Sequence, residues 1–172
     1  MNLPNTISVA RIFLTIPVFM LISAGMWKWA MVIFLTGALS DYLDGFLARK
    51  LNQITSSGKV LDQISDKVFV SSTMIALIPQ IPAWLVALIV ARDSVVSAVR
   101  ILAANSGVVI QANRWGKVKT VLQMLLVILL LFENSFRFQL GIVNQLVIYS
   151  CAFFTVVSAL IYLIQNRKVL GG

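Results

Sequence analysis

Apolar residues occur along this chain in long runs rather than in alternation. Six runs can be marked, at roughly 7–25, 29–49, 60–78, 82–104, 118–133 and 141–164. Several are near the ~20 residues that an α-helix needs to cross a bilayer. Between runs stand short polar or proline-bearing separators, and Pro79–Pro82 and Asn134–Gln139 read as turns. The period-2 alternation of barrel strands is absent. The pattern therefore predicts an all-α, polytopic membrane protein with six transmembrane helices. No linker, repeat or low-complexity segment divides it, so one domain over residues 1–172 is expected. The first run reads as a mature span: no basic side chain precedes Arg11, which lies inside the run, and no small-residue cleavage site stands out near Gly25.

Composition strengthens this picture. Hydrophobic residues make up 59% of the chain and charged residues 12%, with mean hydropathy +0.93, too little polar surface for a soluble domain. The net charge of +8 would suggest nucleic acid in a soluble protein. Here it reads as a topology signal, and no nucleic-acid partner is expected. With six spans, Lys50, Lys59, Arg114, Lys117, Arg167 and Lys168 share one side, while the opposite loops hold little beyond Lys28 and Arg137. The positive-inside rule puts both termini in the cytoplasm, as for a bacterial cytoplasmic-membrane protein. The same basic side would attract anionic lipids and substrates. Trp27, Trp29 and Trp115 read as interface anchors. There is no histidine and one cysteine, Cys151, which excludes imidazole chemistry, intrachain disulfides and multi-thiolate metal sites.

The candidate chemistry lies in the acids. Of six acidic residues, Asp41, Asp44, Asp62 and Asp66 fall within a 26-residue window, two at the end of the second run and two near the start of the third. Carboxylates at membrane depth are expensive and mark function. At about 100° per residue, Asp41, Asp44, Gly45 and Ala48 fall within roughly a 100° arc, and Gly58, Asp62 and Asp66 drift by only about 80°. Each helix thus presents two carboxylates beside small residues. The short loop between them makes the helices antiparallel neighbours. Four ionised carboxylates need a counter-charge, and an all-oxygen donor set suits Mg²⁺, Mn²⁺ or Ca²⁺. Structural ion pairing with Arg49, Lys59 and Lys67 is the plainer alternative.

Residues 41–66, DYLDGFLARKLNQITSSGKVLDQISD, match the pattern D-x2-D-G-x2-A-R-x8-G-x3-D-x3-D at every fixed position. This segment resembles the signature of the CDP-alcohol phosphatidyltransferase family. The N-x5-R of Asn5 and Arg11, the ARDSVVSAVR of residues 91–100 and the GKVKT of 116–120 are similar to its phosphatidylglycerophosphate-forming branch. The branch usually carries L-D-P and Arg-Glu where this chain has Leu61-Asp62-Gln63 and Arg92-Asp93. The resemblance implies a six-helix enzyme, usually a homodimer, with its active site at the cytoplasmic leaflet. Asp41, Asp44 and Asp62 would ligate the metal, most simply Mg²⁺ or Mn²⁺. Asp66 would be the general base and touch a second metal. Gly45, Ala48, Arg49 and Gly58, with Asp41, would line the site for the CDP-lipid, and Asn5 would meet the nucleotide at its mouth.

The implied reaction moves the phosphatidyl group of CDP-diacylglycerol to glycerol 3-phosphate and releases CMP. The acceptor phosphate needs cations, and Arg92, Arg100, Lys117 and Lys119 are the candidates. Arg100 lies nearer the cytoplasmic end. Lys117 and Lys119, two apart, cannot both aim at one point from a regular helix, and Arg92 has Asp93 beside it as a structural partner. Acceptors such as phosphatidylglycerol or inositol phosphate would use the same chemistry. A cation channel or transporter is the rival class, but the acids cluster near one membrane face and do not continue into a route.

Overall fold

The computed structural model describes residues 3–50, 56–105, 110 and 114–167, with side chains for all of these except 3–5, 41–50, 56–57, 59–60 and 104–105. Among the described residues the chain forms six helices and no strand: α1 Leu3–Ser23, α2 Trp27–Lys50, α3 Ser56–Ala76, α4 Ala83–Asn105, α5 Arg114–Phe136 and α6 Gly141–Gln165. The six apolar runs all become helices. The helices overrun the runs at their polar ends, because backbone hydrogen bonding continues past the last apolar side chain. Lys117 therefore lies on α5 rather than in the loop before it, and Asn134 and Ser135 are in its last turn rather than in a connection.

Two of the connections are built alike. After α1, Gly25 takes a left-handed φ of +70°, and the Met26 amide donates to the Leu21 carbonyl at 2.8 Å. After α5, Arg137 takes φ +54°, and the Phe138 amide donates to the Glu133 carbonyl at 3.0 Å. Both are Schellman-type stops, in which one left-handed residue turns the chain and a bond across the last turn satisfies an orphan carbonyl. At Gly25 the conformation is free of steric conflict. At Arg137 a Cβ crowds the carbonyl, which costs about 1–2 kcal/mol.

Among the described residues three segments are long and apolar enough to cross a membrane: Thr6–Ser23, Arg114–Phe136 and Gly141–Gln165. Trp27–Ser40 of α2 is apolar but shorter. The sequence predicts six spans; α4 falls short of this measure because Arg92, Asp93 and Arg100 lie on it, the described part of α3 carries Asp62, Asp66 and Lys67, and on α2 the measure covers Trp27–Ser40 alone. The outward surface is apolar. On α1, Phe13, Ile16 and Met20 are exposed; on α6, Ile142, Leu146, Tyr149, Phe153, Leu160 and Ile164 form an exposed stripe. Water would disfavour such a surface, whereas lipid solvates it.

The chain divides into two compact units: residues 1–80 with 127–139, and residues 81–126 with 140–172. In the first, α1 packs on both α2 and α3. Its inward face runs Ser8, Arg11, Thr15, Val18, Ile22, the spacing of one helix face. Polar residues occupy the N-terminal half of this face and apolar ones the C-terminal half. From α2 and α3, Phe34 and Phe69 stack with centroids 5.3 Å apart, both fully buried. Gly37 makes that approach feasible: a Cβ there would lie 2.6 Å from the tip of the Phe69 ring. In the second unit α4 packs on α6, where Val96 and Val99 surround Tyr162, with Ile110 and Leu163 packed against them. The buried face of α6 carries Cys151, Thr155 and Ser158, small residues of the kind that allow close helix approach in lipid. The Thr155 and Ser158 hydroxyls donate to the carbonyls of Cys151 and Thr155, so neither requires a partner on another helix.

Candidate functional site

Within the first unit, the C-terminal half of α2 carries the Asp41–Arg49 half of the acidic motif and the first turns of α3 carry Gly58, Asp62 and Asp66. Asp41, Asp44, Gly45, Ala48 and Arg49 lie on described helix, but their side chains, like that of Asn5, fall outside the described residues. Gly58, Asp62 and Asp66 are each partly exposed. The Asp62 carboxylate is 48% exposed, and its Oδ1 accepts from Arg11 Nη1 at 3.4 Å. Arg11 is 1% exposed; the same Nη1 donates to Ser65 Oγ at 3.4 Å. Ser65, also buried, donates to the Asp62 carbonyl at 2.9 Å. Thr15 Oγ1 donates to the Arg11 carbonyl at 3.3 Å.

One partner that Asp62 takes is thus a cation from α1, Arg11; the side chains of Arg49 and Lys59 lie outside the described residues. A buried guanidinium against one edge of a carboxylate supplies it with counter-charge. The sequence identifies Arg11 only as a charge near the mouth of the site or a topology signal. Ser65 gives no sequence signal as a functional residue. One could have been found in its position, one helical turn after Asp62 and on the side that α1 covers.

Within the second unit lies a buried charge cluster. Arg92 and Asp93 on α4 are about nine-tenths buried, and Lys119 on α5 is buried. Lys119 Nζ donates to both Asp93 oxygens, at 2.7 and 2.8 Å, and Arg92 Nη1 donates to Oδ1 at 3.0 Å. One carboxylate therefore serves two cations, and the cluster carries net positive charge. Arg92 Nε is buried with no hydrogen-bond partner among the described residues. Gly116 gives the guanidinium its room: a Cβ there would stand 3.2 Å from Arg92 Nη2. Gly116 and Lys119, three apart, share the face of α5 that meets Arg92 and Asp93. Lys117 points elsewhere and is exposed, as the two-residue spacing requires. Arg100 is partly buried. The fold thus brings together two of the four predicted acceptor cations, Arg92 and Lys119, and separates Lys117 from them.

The acidic motif thus lies on α2 and α3, and the ARDSVVSAVR and GKVKT segments build the cationic cluster. The sequence profile described as CDP-alcohol phosphatidyltransferase matches residues 1–157. The chain belongs to the CDP-alcohol phosphatidyltransferase family. Several curated members of the family resemble it along most of their length. A CDP-diacylglycerol–glycerol-3-phosphate 3-phosphatidyltransferase from Bacillus subtilis is 36% identical over 98% of this chain and 97% of its own. A protein of the same name from Rickettsia felis is 34% identical over 97% and 96%. A third, from Pseudomonas fluorescens, is 39% identical over 80% and 76%. Membership makes this chain an enzyme that transfers a substituted phosphate group. The acidic motif and both basic segments fall within the matched residues.

Proposed function

We propose that this enzyme transfers the phosphatidyl group of CDP-diacylglycerol to glycerol 3-phosphate, yielding phosphatidylglycerophosphate and CMP. The observation that carries the reading is the meeting of α2 and α3 at Phe34, Gly37 and Phe69. For antiparallel helices in contact at Gly37 and Phe69, each step along α2 is matched by a step back along α3. Asp44 then falls at the level of Asp62, and Asp41 within a residue of Asp66, at about 1.5 Å per residue. The four acids of the motif then fall within about one helical turn of each other, about 6 Å along the axis. The acceptor assignment draws on the names of the three relatives.

The donor set fits a hard divalent cation. Asp62 presents a carboxylate with about half its surface open, and the motif supplies oxygen ligands alone. Asp41, Asp44, Asp62 and Asp66 would hold Mg²⁺ or Mn²⁺. The metal, when bound, neutralises charge on the pyrophosphate oxygens of the CDP-lipid. Gly45, Ala48 and Gly58 leave space for the nucleotide beside the acids, with Arg49 and Asn5 at its edge. Arg11 fixes Asp62. Asp66 accepts the proton of the acceptor hydroxyl. That oxygen bonds to the lipid-side phosphorus as the bond from phosphorus to the CMP oxygen breaks, and CMP departs with the electron pair. Arg92, whose Nε is unsatisfied, and Lys119 offer donors to the acceptor phosphate; Arg100 and Lys117 add positive potential. The chain would work as one domain with six spans in the cytoplasmic membrane, both termini and the acids on the cytoplasmic side, and as a homodimer.

The test is an acceptor panel. Purified protein is given CDP-diacylglycerol and, separately, glycerol 3-phosphate, phosphatidylglycerol and inositol phosphate, with and without Mg²⁺ or Mn²⁺. CMP release only with glycerol 3-phosphate and metal is expected. Turnover with another acceptor alone would move the chain to another activity of the same family. Asp66→Asn should retain CDP-lipid binding and lose at least a hundredfold in turnover; near-normal turnover would remove Asp66 as the base.

A further inference from the structure

At the end of the first unit remote from the acidic motif, the α1–α2 and α5–α6 connections enclose an open cavity of about 610 Å³. Its walls are Gly25 to Trp29 and Asn134 to Arg137. Lys28 and Arg137 both line it, both are exposed, and among the described residues no carboxylate lines it. Ser135 is 8% exposed, and its Oγ is buried with no hydrogen-bond partner. Asn134 is already committed: its amide donates to Gln80 Oε1 and the Leu130 carbonyl, which holds the α5 end rigid. Trp27, Trp29 and Phe136 supply the apolar rim.

The backbone adds an independent sign. Arg137 occupies the left-handed stop of α5 where the matching stop of α1 has Gly25. Glycine would hold that conformation without conflict. A long cation placed there, against the local preference, is directed into the cavity beside Lys28. Unfavourable backbone conformations of this kind persist where the side chain has work to do.

We propose that this cavity binds the phosphodiester of an anionic membrane phospholipid, at the face of the membrane opposite the acidic motif. Lys28 and Arg137 supply the counter-charge, Arg137 with forked donors for phosphate, and the Ser135 hydroxyl gains the partner it lacks among the described residues. The aromatic rim lies along the glycerol and first acyl carbons, as such rings do at headgroup depth. A tryptophan girdle alone would explain the rim but neither the two converging cations nor the buried, unsatisfied serine.

Native mass spectrometry of the full chain in a neutral maltoside tests this. The protein is titrated with dioleoylphosphatidylglycerol or dioleoylphosphatidylcholine, and compared with Lys28→Gln/Arg137→Gly, Arg137→Gly and Lys28→Arg. The wild-type chain should retain one more phosphatidylglycerol than the double variant, with at least a tenfold lower half-saturating concentration. Arg137→Gly should weaken retention while its thermal midpoint stays equal or rises, which separates lost binding from lost folding. Lys28→Arg should bind as wild type. Equal retention by wild type and double variant, equal retention of phosphatidylcholine, or loss of binding in Lys28→Arg would each overturn the proposal. Displacement of the lipid by equimolar free glycerophosphoglycerol would reassign the cavity to a soluble phosphodiester and overturn the lipid assignment; no displacement is expected.

Discussion

Asp93 is the residue on which the cationic cluster depends. Among the described residues it is the carboxylate that meets both Arg92 and Lys119, and it meets Lys119 through both oxygens. Removing one member of a buried pair leaves an uncompensated charge, which costs about 3–5 kcal/mol. Asp93→Ala should therefore lower the thermal midpoint of the detergent-solubilised protein sharply. Asp93→Leu combined with Arg92→Met and Lys119→Met should recover most of that loss, because replacing all the members of a buried charge cluster by well-packed apolar residues of similar volume is nearly neutral. A triple variant as unstable as Asp93→Ala would mean the cluster's stability lies elsewhere. The sequence made Arg92 and Asp93 visible as neighbours and ruled out a common aim for Lys117 and Lys119. It could not join Asp93 to Lys119, because that bond links two helices 26 residues apart along the chain.

Helices α2 and α3 approach where one has no side chain. The Phe69 ring is fully buried and stacked on Phe34, so it cannot swing away from a Cβ added at Gly37. Gly37→Ala should destabilise by about 1–3 kcal/mol through overpacking. It should also reduce turnover by displacing the α2 acids from those on α3, with CDP-lipid affinity falling alongside kcat. Compensation by Phe69→Leu, read as a recovered thermal midpoint, would tie the effect to this contact. Gly37→Ala with unchanged stability would contradict the close approach. The acidic motif itself was legible on paper, since 3.6-residue spacing aligns its members on each helix. Gly37, one turn before Asp41, gives no such signal. A glycine in an apolar run looks like any other until its neighbour is known. The same holds for α5, whose end at Arg137 moved two polar residues from a predicted turn into helix.

For the whole molecule the testable quantity is sidedness. With both termini on the cytoplasmic side, cysteines introduced one at a time at Lys28 and Arg137 in a Cys151→Ser background should react with membrane-impermeant maleimide in intact cells. Cysteines at Arg114 and Arg167 should react only after permeabilisation. Labelling of Arg167→Cys in intact cells would invert the topology or change the number of spans. Among the described residues three helices are long and apolar enough to cross; α3 and α4 carry charged residues of the acidic motif and of the buried cluster, and those residues lower their hydropathy. The elements hardest to recognise as spans are the ones that hold the chemistry, which follows from the expense of ionised groups in a bilayer.

By itself the sequence determined the solvent, the secondary structure and the chemistry class. Long apolar runs can be satisfied only as helices in lipid, and a motif with every fixed residue in place leaves little freedom of interpretation. Tertiary structure decided which charges meet. Arg11 serves Asp62 and Ser65, Lys119 serves Asp93, and Arg137 turns into the cavity beside Lys28. Those pairings arise from side chains distant along the chain that folding brings within hydrogen-bond range, or from a backbone stop with a handedness that no residue pattern announces. The charges on this chain are few, so their pairing, more than their presence, sets what each can do.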